Sequence, residues 1–461
     1  MFNNKLNVLG KIKITKNPFL LFLPFLLLYI IIIILIPTNG MSGDESRYLI
    51  YSKYLINGYL PPNQSSFDIL GNGPGYSIIL IPFVALHIPL FIIPMMNAVL
   101  YYFSIILLFK SLIKIASFRT ALILCLLWAL YYNSYDFMIL ILPETFAAFL
   151  ICLLIFSLMK SFKNEDSNNS KKYILLSGFV FGYMALTKPI FGYVLLFILI
   201  GSGLLWITRR KAANYKKAIF ISLIAMATTL PYLICTYHIT GKVFYWSSLG
   251  GNNLYWMTTP YDGEYGDWLS DPKPLTGVIS HKTDSISPKQ HYNDFEKYII
   301  SNRSSHINEY KELKHINHWE NYEEINKFKG GIEKDDAFKR IAINNIKSHP
   351  FKFIQNCISN AGRMLFNFPF SYKLQTPRTL IRLPLTGIIS VLTIFCLIPT
   401  FINWKKIIFP IRLMLFLVML YLGGSIFASA ETRMFTVIVP MLLFWIGFIL
   451  QKTIKINLTD W

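Results

Sequence analysis

Several uninterrupted apolar runs in this 461-residue chain reach the length that crosses a lipid bilayer. That length limits the fold more than any other feature of the sequence. A hydrocarbon core of roughly 30 Å takes about 20 apolar residues in a helix, and within it every backbone polar group must be bonded inside the chain. The first run covers residues 19–37. Further runs are centred on 91–109, 121–135, 142–159, 173–186, 193–207, 218–237, 385–402, 407–422 and 435–450. The expectation is an all-α polytopic membrane protein of about ten crossings.

Charge orients the bundle. Lys5, Lys11, Lys13 and Lys16 precede the first run, and no small-residue cleavage pattern follows it, so it reads as an uncleaved signal anchor with a cytoplasmic N-terminus. Basic residues then recur in every second connection. They are Lys110, Lys114 and Arg119, then Lys160, Lys163, Lys171 and Lys172, then Arg209, Arg210, Lys211, Lys216 and Lys217, then Lys405 and Lys406, then Lys452 and Lys455. The intervening short connections carry only Asp136, Lys188, Glu431 and Arg433 near their tips. Lys and Arg of short loops collect on the cytoplasmic side, so both termini are expected there, in a multi-pass protein of the cell membrane. The same asymmetry accounts for most of the net charge of +20 without a nucleic-acid partner. All five cysteines except Cys357 lie within or at the end of apolar runs and read as small hydrophobes, with no disulfide or metal spacing.

Two segments on the extracytoplasmic side are too long to be simple connectors, and long loops between short ones usually carry function. They divide the chain into a transmembrane module at 1–238 with its first outer loop at 38–87, a cap loop at 239–382, and a C-terminal transmembrane module at 383–461. In the first loop Tyr48, Tyr51, Leu55 and Tyr59 recur at helical spacing, as in an interfacial helix, until Pro61-Pro62 stops it. Gly71 to Tyr76, GNGPGY, then opens an apolar run too short to span, read as an interfacial or re-entrant helix over 78–86. The second loop is rich in Trp, Tyr, Asn and His and reads as a folded aqueous cap. Its later part is helical by pattern with a break at Pro350. Phe338, Ile341, Ala342 and Ile346 share a face there, and Asp335-Asp336 are placed at the positive end of the helix dipole.

The residues able to carry chemistry cluster at the outer ends of the runs. Asp44-Glu45 follows the first run directly. One carboxylate there can cap a helix, whereas a second beside a bilayer is costly without a task or a partner. Glu144 follows Pro143 at the start of the fourth run with Asp136 upstream. That is a common helix start, and it also sets a second carboxylate at the depth of Asp44, suited to general base work or a divalent cation. Lys188 and Arg433 stand against the positive-inside trend. Each can snorkel or pair with a neighbour such as Glu431, or meet an anion such as a lipid phosphate. His315 and His318 lack the further ligands a metal site needs, and Asn302-Arg303-Ser304 matches a glycosylation acceptor pattern.

In order and membrane side these features resemble the GT-C superfamily of polyprenyl-phosphate-sugar-dependent glycosyltransferases, in particular its protein O-mannosyltransferase and aminoarabinose transferase branch. The resemblance rests on the acidic pair after the first run, the Gly73-Pro74-Gly75-Tyr76 entry, Pro143-Glu144, Lys188-Pro189, the segment from Asp336 to His349-Pro350, and Glu431-x-Arg433. It implies a GT-C-type bundle with interfacial helices in the first outer loop, a large extracytoplasmic loop and a site at the outer face. Asp44 matches the family's catalytic carboxylate, Glu144 or Asp136 its second acidic position, and Glu45 stands beside the base. Lys188, Arg433, Tyr48 and Tyr76 are the implied substrate contacts. The chain departs from related lipid A-modifying enzymes at Asn72-Gly73-Pro74, where they carry Lys-Pro, so the phosphate partner is sought at Lys188 or Arg433.

The expected activity is transfer of a sugar from a polyprenyl-phosphate donor to an extracytoplasmic lipid, glycan or protein by base-assisted displacement at the anomeric carbon. The paired carboxylates would suit a divalent cation, and no nucleotide cofactor is expected, since no nucleotide-binding glycine signature is present. The alternatives are a transporter or flippase of lipid-linked sugars, which predicts mid-membrane charges and inverted repeats, and a polysaccharide polymerase or ligase with its catalytic groups in the second loop.

Overall fold

The computed structural model describes residues 17–36, 41, 44–58, 70–162, 168–208, 212–268, 318–328, 330–371 and 377–454. Outside them lie Lys5, Lys11, Lys13, Lys16, Tyr59, Pro61-Pro62, Lys163, Arg209, Arg210, Lys211, the Asn302-Arg303-Ser304 triplet, His315 and Lys455. Regular structure among the described residues is helical throughout. In chain order the helices are α1 (Pro18–Leu35), α2 (Asp44–Ile56), α3 (Pro74–Ala85), α4 (Ile92–Leu112), α5 (Phe118–Ala129), α6 (Tyr132–Met138), α7 (Glu144–Ser161), α8 (Asn168–Thr187) and α9 (Ile190–Thr208). They continue with α10 (Ala213–Thr240), α11 (Gly250–Met257), α12 (Trp319–Asn326), α13 (Gly331–Ser348), α14 (Pro350–Phe366), α15 (Pro377–Ile402), α16 (Phe409–Ala428) and α17 (Thr432–Phe448).

Eight of these are long and apolar enough to cross a membrane, and α5 with α6, bent by 50°, makes a ninth. The break between α5 and α6 frees carbonyls that a bilayer cannot solvate, and phenols satisfy them. Tyr29 and Tyr135 both donate to Ala129 O, at 2.8 and 2.7 Å, and Tyr101 donates to Trp128 O. The tenth expected crossing is α8. Its 20 residues span about 30 Å, but Lys171, Lys172, Gly178 and Gly182 hold it below the apolar measure the others meet. The glycines serve packing, because a Cβ on Gly178 or Gly182 would sit 2.8 Å from Ile221 O or 2.5 Å from Ala225 O of α10.

Basic residues collect at one end of the bundle. Lys114 lies over the Phe156 ring at 4.8 Å, Lys160 over Tyr173 at 4.7 Å, and Lys217 donates to Ser161 O at 3.1 Å. Phe409 of α16 closes that end against Phe162 and Tyr215. Glu144 opens α7 and Ser161 ends it, so Glu144 is at the opposite end, about 27 Å away along the helix.

Helices α11, α12 and α13 pack around Tyr255, Trp256, Tyr322, Ile325 and Phe338. Phe338 and Ala342 face inward as their spacing predicts. Asp335 and Asp336 do not sit in the first turn of α13, because the helix begins earlier, at Gly331. Asp335 instead accepts the Gly251 N–H at 2.6 Å, and a Cβ on Gly251 would fall 2.0 Å from Asp335 O. Burial pushes the Asp335 carboxyl up to about 6 against the lowering pull of the Gly251 and Asn252 N–H groups. A folded-state value above the ordinary one means this group favours the fold at low pH, and the contribution is lost as pH rises through about 6. Hydrogen-exchange protection of α11 and α13 should therefore fall between roughly pH 4 and 6 in the wild type and stay level in Asp335→Asn.

Candidate active site

Four helix ends meet at the end of the bundle opposite the lysines. Asp44 and Glu45 open α2, where carboxylates meet the positive end of the helix dipole. Asp44 Oδ2 accepts from Arg433 Nη1 at 2.8 Å, and its Oδ1 lies 3.2 Å from Arg47 Nη1, one turn further along α2. Arg433 stands in the first turn of α17 with its Nε 3.3 Å from Glu431 Oε2. Burial alone would raise the Asp44 carboxyl, but Arg433, Arg47 and Lys188 outweigh it and hold it below its ordinary value.

Beside this pair, Lys188 Nζ donates to Glu144 Oε1 at 2.9 Å and ties the α8–α9 turn to the first residue of α7. Glu144 Oε2 and Thr145 Oγ1 are buried without a hydrogen-bond partner among the described residues. Tyr48 and Tyr76 meet edge to face at 5.3 Å. Burial, reinforced by the Glu144 charge, pushes both phenols up, so each is a protonated donor at neutral pH.

The Gly73-Pro74-Gly75 sequence explains how Lys188 reaches this position. A Cβ on Gly73 would fall 2.1 Å from Leu186 O, and one on Gly75 2.6 Å from Thr187 Oγ1. Only glycine lets α3 lie this close to the residues before Lys188. Ser77 Oγ donates to Tyr48 O at 3.0 Å and Ser52 Oγ to Ser77 O at 2.9 Å, locking α2 onto α3. Gly75→Ala should cost about 1–3 kcal/mol and displace Lys188. The expected result is a lower melting temperature, although every charged group of the site is retained.

The structure brings together Asp44, Glu144, Lys188, Arg433, Tyr48 and Tyr76, and places the other two candidates differently. Glu45 is buried and accepts the Ile141 N–H at 2.9 Å, bracing the turn that leads to Glu144. Asp136 accepts from Arg382 Nη2, joining α6 to α15. Of Asp44, Glu45 and Glu144, Asp44 is the open one, with 23% of its side chain exposed against 1% for Glu144 and a buried Glu45, while Glu431 before α17 is 42% exposed and pairs with the same Arg433.

Sequence reasoning passed over two residues. Arg47 lies three positions after Asp44 on the same helix, and that spacing was a usable signal. Tyr421, inside an apolar run, gave none. Its ring stacks on Phe191 at 4.5 Å and its hydroxyl reaches Met434 Sδ at 3.6 Å, so it bridges the neighbourhoods of Lys188 and Arg433. Among the described residues no group of three or more His, Cys, Asp or Glu gathers as a metal site.

No protein-family model matches this chain, and no curated protein gives a significant match. Among solved structures it is similar to ArnT from Cupriavidus metallidurans bound to undecaprenyl phosphate, with 9% identity and a TM-score of 0.40 over 94% of this chain and 77% of that one. The apo state of ArnT from the same organism gives 9% identity and 0.39 over 92% and 76%. The S. cerevisiae protein O-mannosyltransferase Pmt1-Pmt2 complex bound to the sugar donor gives 18% identity and 0.35 over 50% of this chain. That match spans 34% of the yeast chain, about a third of its length.

Proposed function

We propose that this chain is an integral membrane glycosyltransferase that moves a sugar from a polyprenyl-phosphate donor to an acceptor hydroxyl at the extracytoplasmic face of the cell membrane. One observation carries the reading: at one end of a membrane bundle the partly open Asp44 carboxylate is held ionised by Arg433 and Arg47 beside the buried Lys188–Glu144 pair. The lysine-rich opposite end faces the cytoplasm by the positive-inside rule, which sets the site outside and the C-terminus inside.

The chemistry follows from these groups. A sugar on a long isoprenoid phosphate stays with the bilayer, so its anomeric carbon must meet the acceptor at the interface. Asp44 takes the proton of the acceptor hydroxyl as that oxygen bonds to the anomeric carbon. The bond from that carbon to the phosphate oxygen breaks, and polyprenyl phosphate leaves with the electron pair. Arg433 and Lys188 meet the charge that develops on the departing phosphate. An arriving phosphate competes with Asp44 for Arg433, which loosens the grip on Asp44 and strengthens it as a base when the donor is bound. Glu144 Oε2, with the hydroxyls of Tyr48 and Tyr76, supplies hydrogen bonds for the sugar.

The test is a panel of polyprenyl-phosphate sugars labelled in the sugar and incubated with purified protein in nanodiscs. The expected result is that one donor gives up its label to an added acceptor or, slowly, to water. Retention of label by every donor would overturn the proposal.

A further inference from the structure

Helix α14 is inverted relative to a helix on the surface of a water-soluble domain. Phe351, Ile354, Ile358, Ala361 and Leu365 recur along one face at helical spacing. That face points outward, with Phe351 81%, Ile354 54% and Ile358 69% exposed. Asn356, Asn360 and Arg363 point inward and are bonded, while Gln355 is exposed at the edge of the apolar face. Asn356 Nδ2 donates to Met257 O and Thr259 O, both at 3.0 Å, and Asn360 Nδ2 to Ile426 O at 2.9 Å. Arg363 Nη1 donates to Tyr265 O at 3.0 Å and Pro369 O at 2.8 Å.

A face of this kind is unfavourable in water, because each large apolar side chain gains free energy on leaving it. The surroundings of that face are apolar. Helix α14 packs on α15, α16 and α17, all membrane-crossing by length and composition. The Phe353 ring stacks on Phe427 at the end of α16, and Phe427 is itself 57% exposed. Leu380 and Ile381, near the start of α15, are exposed in the same way. The stripe on α14 thus continues the apolar belt of the spans, and it carries no charged side chain.

We propose that α14 lies in the membrane at the site end of the bundle, with its Phe351, Ile354 and Ile358 face among the acyl chains of that leaflet. The cap is then seated in lipid rather than raised above it. Through Asn360 the helix grips Ile426, a few residues before the turn that carries Glu431 and Arg433. Lipid contact on α14 therefore sets the depth at which Arg433 meets Asp44. This inference does not depend on the reaction proposed above.

Ile358→Trp and Phe351→Trp variants in nanodiscs test it, each read as the difference in fluorescence from the parent protein. Phosphatidylcholine brominated on its acyl chains should remove most of the added emission in both, and aqueous acrylamide should leave it nearly unchanged. Quenching by acrylamide without quenching by bromolipid would overturn the proposal by showing an aqueous face. Protection from both quenchers would overturn it in favour of a protein covering, such as a second copy.

Discussion

Replacing Asp44 by asparagine should lower sugar transfer by about 10²–10⁴-fold, the range for loss of a positioned general base. The side chain keeps its shape, and its amide oxygen still accepts from Arg433, so the fold should be kept, while the affinity for polyprenyl phosphate should hold or rise because the charge that competes for Arg433 is gone. The loss belongs in kcat, measured with the donor titrated to saturation. Because Arg433, Arg47 and Lys188 outweigh burial and hold Asp44 below the ordinary carboxylate range, the carboxylate is ionised above that range. The acid limb of kcat/KM should therefore fall below the ordinary aspartate value near 3.9. In Arg433→Gln that limb should move upward, since the depressing charge is gone. The stability from the Asp44–Arg433 pair has the same sign, being present above the ordinary pKa and lost as pH falls through the depressed one.

The second large effect is at Lys188. Lys188→Met leaves Glu144 buried and without the partner that holds Oε1, and breaking a buried pair by removing one member costs about 3–5 kcal/mol. Transfer should be lost together with much of the melting temperature. Lys188→Met combined with Glu144→Gln removes both charges, so most of the stability should return while transfer does not. Thermal melting beside transfer assays of the two single variants and the pair separates the structural share from the catalytic share. Recovery of activity in the double variant would remove Lys188 from the chemistry.

The parts of this site legible from sequence are those where a charge interrupts an apolar pattern. Asp44, Glu144, Lys188 and Arg433 each stand at the end of a hydrophobic run, and depth in a bilayer fixes which ends meet. The Glu431–Arg433 pair was legible from adjacency, but which charges pair across helices was not, because that depends on helix rotation. Glu45 turns inward to Ile141, and Asp136 goes to Arg382 on a helix far along the chain. Tyr421 was invisible because an aromatic residue in an apolar run has no distinguishing neighbours. The run at 121–135 read as one span, and its break became explicable only with Tyr29, Tyr101 and Tyr135 in place to bond the freed carbonyls. For α14 the sequence shows two faces but cannot say which one faces out.

The central claim is cleavage of a phosphodiester at the anomeric carbon with Asp44 as the base. Phosphorus NMR of the donor in nanodiscs reads that bond directly. With wild-type protein and acceptor, the phosphodiester signal should convert to the phosphomonoester of polyprenyl phosphate at the rate of sugar transfer, and Asp44→Asn should hold the diester intact. A diester that persists with wild-type protein while the lipid-linked sugar appears in the opposite leaflet would contradict the account and make the chain a transporter.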